Sequence, residues 1–194
     1  MIHRISKRIV NFLLFSNVIN KEEIDVYIYG YEMILSSLID FMIVLITSIL
    51  FNEFIYMTSF FVMFVSTRLY TGGYHADTFL KCKLVFITLC LIMVGLSEIA
   101  LNLSIVIPSL IMFIVTAYHL SPVENKNKII SKEMKIKYRN ISVILSIIWS
   151  ITAIITYFSF IKICQSIVFT ALIITVLMIV GENKQRKEEK LNEN

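Results

Sequence analysis

Six apolar runs separated by short polar stretches occupy most of the chain. They fall at about Tyr31 to Phe51, Phe54 to Thr67, Leu84 to Leu101, Ile105 to Leu120, Ile141 to Phe160 and Ile163 to Val180. A bilayer core is spanned by about 20 apolar residues in a helix, so the pattern predicts six transmembrane helices. The first run is open to a helix that begins near Glu22. The second is only fourteen residues long; to span, it must borrow residues at both ends or thin the bilayer. Pro108 near the start of the fourth run and Pro122 just past its end mark that helix. Gly181 stands at a C-cap position for the sixth. The charged stretch after it reads as a helical extension or a frayed tail.

Before the first run the period changes. Ile2, Ile5, Ile9, Phe12 and Leu13 recur at helical spacing, and His3, Arg4, Lys7, Arg8 and Asn11 fall largely on the other side. That is an amphipathic helix suited to the membrane interface or to the bundle's own inner face. A signal peptide is excluded, because Asn20-Lys-Glu-Glu follows instead of a small-residue cleavage site. The expected fold class is therefore an all-α membrane protein, with six transmembrane helices and an N-terminal interfacial helix. One integral-membrane domain is expected over 1–194, with the interfacial helix in 1–20 and a cytoplasmic tail in 182–194.

Composition agrees with that class. Of 194 residues 57% are hydrophobic, and mean hydropathy is +0.79; a soluble domain is nearer 45–50% apolar. Charge adds an orientation. The segments 1–30, 68–83, 121–140 and 181–194 hold seventeen of the eighteen Lys and Arg, and the opposite connections hold only Lys162. By the positive-inside rule both termini and 68–83 face the cytoplasm. The net charge of +4 is spread between spans and implies no nucleic-acid partner. Cys82, Cys90 and Cys164 make no disulfide framework, and no Cys/His cluster has zinc spacing. No cofactor is expected.

One polar stretch is unlike the others. Residues 68–82 read Arg-Leu-Tyr-Thr-Gly-Gly-Tyr-His-Ala-Asp-Thr-Phe-Leu-Lys-Cys. The imidazole of His75 and the thiol of Cys82 beside a Gly-Gly break suggest a cysteine nucleophile with a histidine base. Lys81 and Lys83 flank Cys82, and nearby cations favour the thiolate. The bland alternative is a membrane-surface loop with a stray His and Cys. Geometry limits the catalytic reading. On one straight helix seven residues rise about 10.5 Å, too far for a nucleophile and its base. Catalysis therefore needs irregular backbone after Gly72-Gly73, or a helix that starts only near Thr78.

The pattern Arg68-x3-Gly72-Gly73-x-His75-Ala-x5-Cys82, in a small polytopic chain of this length, resembles the accessory gene regulator protein B (AgrB) family. Ser121-Pro122-Val-Glu124-Asn-Lys-Asn127 resembles that family's segment after the fourth span. The resemblance covers nearly the whole chain in layout and about thirty residues in specific motifs. It implies a membrane cysteine endopeptidase of a bacterial cell membrane. Such a protein removes the C-terminal part of a short AgrD-like precursor and promotes closure of a thiolactone or lactone ring for quorum sensing. It implies Cys82 as nucleophile and His75 as base.

Supporting residues stay open. Arg68, at the end of the second run, binds a precursor carboxylate or snorkels. Glu124 is a third catalytic member or a solvated salt bridge, and Asn127 accompanies it in the motif. Asp40 lies mid-span, where ionisable groups are functional candidates by default; it could equally be a paired residue that holds helices together. Membrane lipids and a second copy of the chain, as a homodimer, complete the expected partners. The competing class is a small transporter or scaffold whose 68–82 segment gates, and a further one is an intramembrane hydrolase that uses Asp40.

Overall fold

The computed structural model describes residues 2–16, 18–20, 23–74, 79–123 and 131–192. Seven helices follow in order: α1 (Ile2–Phe15), α2 (Ile24–Leu50), α3 (Phe54–Thr71), α4 (Phe79–Leu96), α5 (Leu103–Leu120), α6 (Lys132–Ser159) and α7 (Ile161–Asn192). Among the described residues there is no β-strand, only one isolated bridge. α2, α4, α5, α6 and the Ile161–Lys187 part of α7 are long and apolar enough to cross a membrane. The protein is an all-α membrane protein. α3 has eighteen residues, about 27 Å of rise, and dilutes its apolar side chains with Ser, Thr and Arg68. It extends the short second run only at its C-terminal end, from Thr67 to Thr71, not at both ends, and it is not among the helices long and apolar enough to cross.

Two compact units divide the chain, Met1–Ile43 and Val44–Asn194, with the boundary inside α2. In the first unit α1 buries Ser6 and Val10 and exposes Phe12 and Phe15. The His3 ring lies 2.7 Å from the Glu32 carboxylate of α2. α1 is thus amphipathic, as its period predicts, and one polar residue of its N-terminal turn is held by an acidic partner.

The second unit is built around α7, which touches α3, α4, α5 and α6. Every residue from Cys164 to Ala171 is buried; a helix that is buried all round must be at the centre of a bundle. In a bilayer, packing and interhelical hydrogen bonds hold helices together, because lipid tails are as apolar as leucine. α6 meets this requirement with Ser142, Ser146, Ser150 and Ala153, buried at spacings of four, four and three. Small side chains let backbones approach closely. Each serine hydroxyl is satisfied within its own helix, on the carbonyls of Tyr138, Val143 and Ser146 at 2.8, 2.8 and 2.7 Å. On the other flank Phe60, Phe64 and Phe86 form an aromatic cluster between α3 and α4, with ring centroids 5.4–6.2 Å apart.

One end of this unit is closed by polar contacts from α7. Lys162 donates to Glu53 at 2.8 Å, to Glu98 at 3.0 Å and to the Ser97 carbonyl at 3.0 Å. Gln165 donates to the Ile99 carbonyl and Ser166 to the Tyr56 carbonyl, at 2.9 and 2.7 Å. So the lone lysine of the cation-poor side pairs with two carboxylates, and Glu98 is an ion-pair partner rather than a merely solvated group. α3 and α5 both start at this end, so the connections that follow them, 72–74 and 121–123, lie at the opposite end.

α6 and α7 run well past their apolar runs into polar sequence. α6 begins at Lys132, capped by the Ser131 hydroxyl, which accepts from the Met134 amide at 3.4 Å. α7 passes through Gly181 without ending and continues to Asn192. Hydropathy marks where lipid starts, whereas a helix can continue into water on side-chain pairs such as Arg186 with Glu182, 3.0 Å apart at i,i+4.

Candidate functional site

The break between α3 and α4 begins at Gly72. Its amide still closes the helix on the Arg68 carbonyl at 3.1 Å, but its own φ of 67° and ψ of −143° lie in a region open essentially to glycine. Gly73 follows with φ 124°. The chain therefore leaves the axis of α3 within two residues. α4 starts at Phe79, so 72–82 is not one straight helix, as a reacting His75–Cys82 pair requires.

Three elements pin residues 72–74. The first is the strand-like stretch after α5. The Val123 amide donates to the Thr71 carbonyl at 2.9 Å, and Gly72 and Val123 pair as a parallel bridge. The approach is so close that a Cβ on Gly72 would lie 2.2 Å from the Val123 carbonyl oxygen. The second is α7, whose Leu177 carbonyl accepts from the Tyr74 amide at 2.9 Å. The third is Arg68, one turn back in α3. Its Nη2 donates to the Tyr74 carbonyl, and its guanidinium lies 5.5 Å from the Phe64 ring centroid. Arg68 is half-buried and grips the chain's own backbone, a more specific role than snorkelling.

Cys82 sits in the first turn of α4 and is half-buried. Cys90, two turns on, is buried in the face that also holds Phe86 and Met93, and Cys164 is buried in α7. Of the two flanking cations, Lys81 is exposed. Lys83 is buried, with its ammonium 5.1 Å from the centre of the Phe79 ring. His75, Asp77, Glu124 and Asn127 lie outside the described residues. What is described is the residue before each motif acid or base: Tyr74 before His75 and Val123 before Glu124. The two motif segments thus meet at Gly72 and Val123. Asp40 is half-buried on α2, in the first compact unit, whereas Arg68 belongs to the second.

A cleft of about 450 Å³ opens at the same end, between the end of α5, the start of α6 and the extension of α7. Its walls include His119, Lys132, Lys135, Arg139 and Glu182, and Cys82 is not among them. Lys132, Lys135 and Arg139 therefore line a cleft instead of only filling a solvated loop. His119 belongs to this wall, while Tyr118, stacked edge-on against it at 5.1 Å, is exposed. Among the described residues no group of His, Cys, Asp and Glu is arranged to hold a metal.

The contribution of Leu177 and Gly181 could not be read from the apolar pattern, which placed a helix end there. A signal existed: glycine inside a helix costs about 1 kcal/mol relative to alanine, so such a glycine is a candidate for a close approach, which Gly181 makes and Gly95 does not.

The family model described as Accessory gene regulator B matches residues 6–179. No curated protein and no solved structure matches the chain.

Proposed function

The chain belongs to the accessory gene regulator B family, which acts in quorum-sensing peptide processing, and we propose that this member is a membrane cysteine endopeptidase acting on a short precursor peptide. Cys82 is the nucleophile and His75 the base. The observation that supports this most directly is the backbone break at Gly72-Gly73, pinned from the stretch after α5, from α7 and from Arg68. A continuous helix would have separated the two groups by about 10.5 Å along its axis; this backbone does not impose that separation.

The chemistry is an acyl transfer. The Cys82 sulfur attacks a backbone carbonyl of the precursor, and the C–N bond breaks. His75 passes the thiol proton to the departing amine, and the precursor's N-terminal part remains as a thioester on Cys82. A thiol or hydroxyl within the bound peptide then attacks that thioester, closes the ring and returns the proton and sulfur to Cys82. With a thiol the second step exchanges one thioester for another and is nearly balanced. The first converts an amide into a thioester and is uphill, so water must be kept from the intermediate and departure of the fragment must draw the reaction on. The basic cleft beside α6 suits an acidic part of the precursor or anionic lipid. The cation distribution supports a cytoplasmic site and cytoplasmic termini, on the side where a precursor is made, and a homodimer in the membrane is the proposed assembly.

The test is co-expression with the small open reading frames near the gene, followed by mass spectrometry of released peptides. Cys82→Ser abolishes release, and Cys90→Ser and Cys164→Ser retain it. Robust cleavage by Cys82→Ser overturns the reading and leaves the transporter class, or an Asp40 hydrolase, in its place.

A further inference from the structure

We infer that Gly181 of α7 is a positioning residue for the reacting pair, because α7 offers a seat on which the chain leading to His75 rests. The inference builds on the peptidase reading above.

Three positions on one face of α7 make the seat. Leu177, Gly181 and Lys184 follow each other at spacings of four and three, hence along one stripe of the helix. The Leu177 carbonyl accepts from the Tyr74 amide at 2.9 Å. One turn on, Gly181 leaves the helix surface bare where the Gly73–Tyr74 peptide crosses. A Cβ there would lie 2.7 Å from the Gly73 carbonyl carbon and 2.7 Å from the Tyr74 nitrogen. Those are backbone atoms and cannot swing aside as a flexible side chain would. Beyond it the Lys184 ammonium lies 5.4 Å from the centre of the Tyr74 ring.

The seat is specific to this crossing. Gly95 in α4 has nothing within 4 Å of where its Cβ would stand, so a glycine in this protein is not by itself a docking place. On the other side of the crossing, Gly73 is close to Arg68, and a Cβ on it would meet Nη1 at 3.0 Å. Arg68 holds the Tyr74 carbonyl from α3, and Leu177 holds the Tyr74 amide from α7. Both polar groups of Tyr74 are thereby fixed by different helices, one residue before His75. A methyl group on Gly181 pushes that peptide off α7 and loosens the backbone one residue before His75 in the sequence. A displacement near 1 Å at a reacting group costs about a hundredfold in rate.

The experiment uses the full chain in membrane vesicles with a synthetic precursor. Gly181→Ala lowers kcat for cleavage at least tenfold, while precursor co-purification stays within twofold of the parent, and it changes the pH profile of Cys82 alkylation. Gly95→Ala changes none of these. Normal kcat in Gly181→Ala, or a loss of rate that only mirrors a loss of folded protein, overturns the inference. Should Gly181→Ala fail to accumulate, Lys184→Met carries the test: kcat falls about threefold, and Lys184→Arg restores it. No loss in Lys184→Met, or no restoration by Lys184→Arg, then overturns the seat. The two readings fail separately. Cleavage by Cys82→Ser removes the peptidase assignment, whereas normal Gly181→Ala beside inactive Cys82→Ser removes only the seat.

Discussion

The Val123 amide donates to the Thr71 carbonyl at 2.9 Å, joining two segments fifty-two positions apart in sequence. Both segments carry the family's motif residues, and both leave their helices at this point. The pairing makes the 121–123 stretch a structural part of the break at Gly72, and it makes that break sensitive to single atoms.

Gly72→Ala is expected to destabilise the protein. The backbone conformation alone costs about 1–3 kcal/mol for a residue with a Cβ, and the methyl would meet the Val123 carbonyl at 2.2 Å. Gly95→Ala is expected to be neutral or stabilising by about 0.5–1 kcal/mol. Thermal unfolding in detergent measures both, and equal midpoints for the two variants would contradict the pairing.

Thiol reactivity should separate the cysteines. Cys82 is half-buried at a helix start, whereas Cys90 and Cys164 are fully buried. In single-cysteine proteins at neutral pH, Cys82 should be alkylated at least tenfold faster than either. Comparable rates at Cys82 and Cys90 would show that the first turn of α4 is closed.

His75→Ala is expected to slow cleavage by about 10²–10⁴-fold, the usual contribution of a general acid–base group, and to leave precursor co-purification unchanged. If binding fell and the bound peptide were still cut at the parent rate, His75 would be a docking residue and no dyad would exist.

The ion cluster on Lys162 predicts an asymmetry. The Glu98 side chain is 83% exposed and that of Glu53 15%. Glu98→Gln should therefore cost less than about 1 kcal/mol. Glu53→Gln should cost more, because it leaves the ammonium with one exposed partner. Unfolding midpoints decide it, and a larger loss for Glu98→Gln would be the wrong order.

Orientation is checked by cysteines introduced near Asn102 and near Lys128. An impermeant reagent outside intact cells should label the first and spare the second. The reverse pattern would put the break at Gly72 on the side away from newly made peptide.

The helices were legible because apolar runs and lipid-facing helices obey the same length rule. Phe54 and Leu120 bound helices where the pattern put them. The extension of α6 was hidden, because Lys132–Arg139 is polar and hydropathy is blind to a helix once it leaves the apolar layer; the charged stretch after Gly181 reads in the sequence as helix or frayed tail, and α7 continues to Asn192. Gly181 misled for a related reason, because a glycine at the end of an apolar run looks like a cap when the next turn is charged. Around Cys82, the need for a broken backbone followed from a rise per residue. The partners of that break did not. Thr71, Val123 and Leu177 act through backbone atoms, which any residue type carries, so no side-chain pattern could have announced them.

The central position of α7 sets the order in which this bundle can be finished. α3, α4, α5 and α6 leave the ribosome before the helix they all pack against exists. Until it arrives, the Tyr56 carbonyl lacks its Ser166 donor, Glu53 lacks its Lys162, and the Tyr74 amide has no acceptor on Leu177. A chain stalled before α7 has Cys82 but lacks the helix on which the Gly73–Tyr74 peptide rests, so under the proposed function the site is completed only when the last helix has been made.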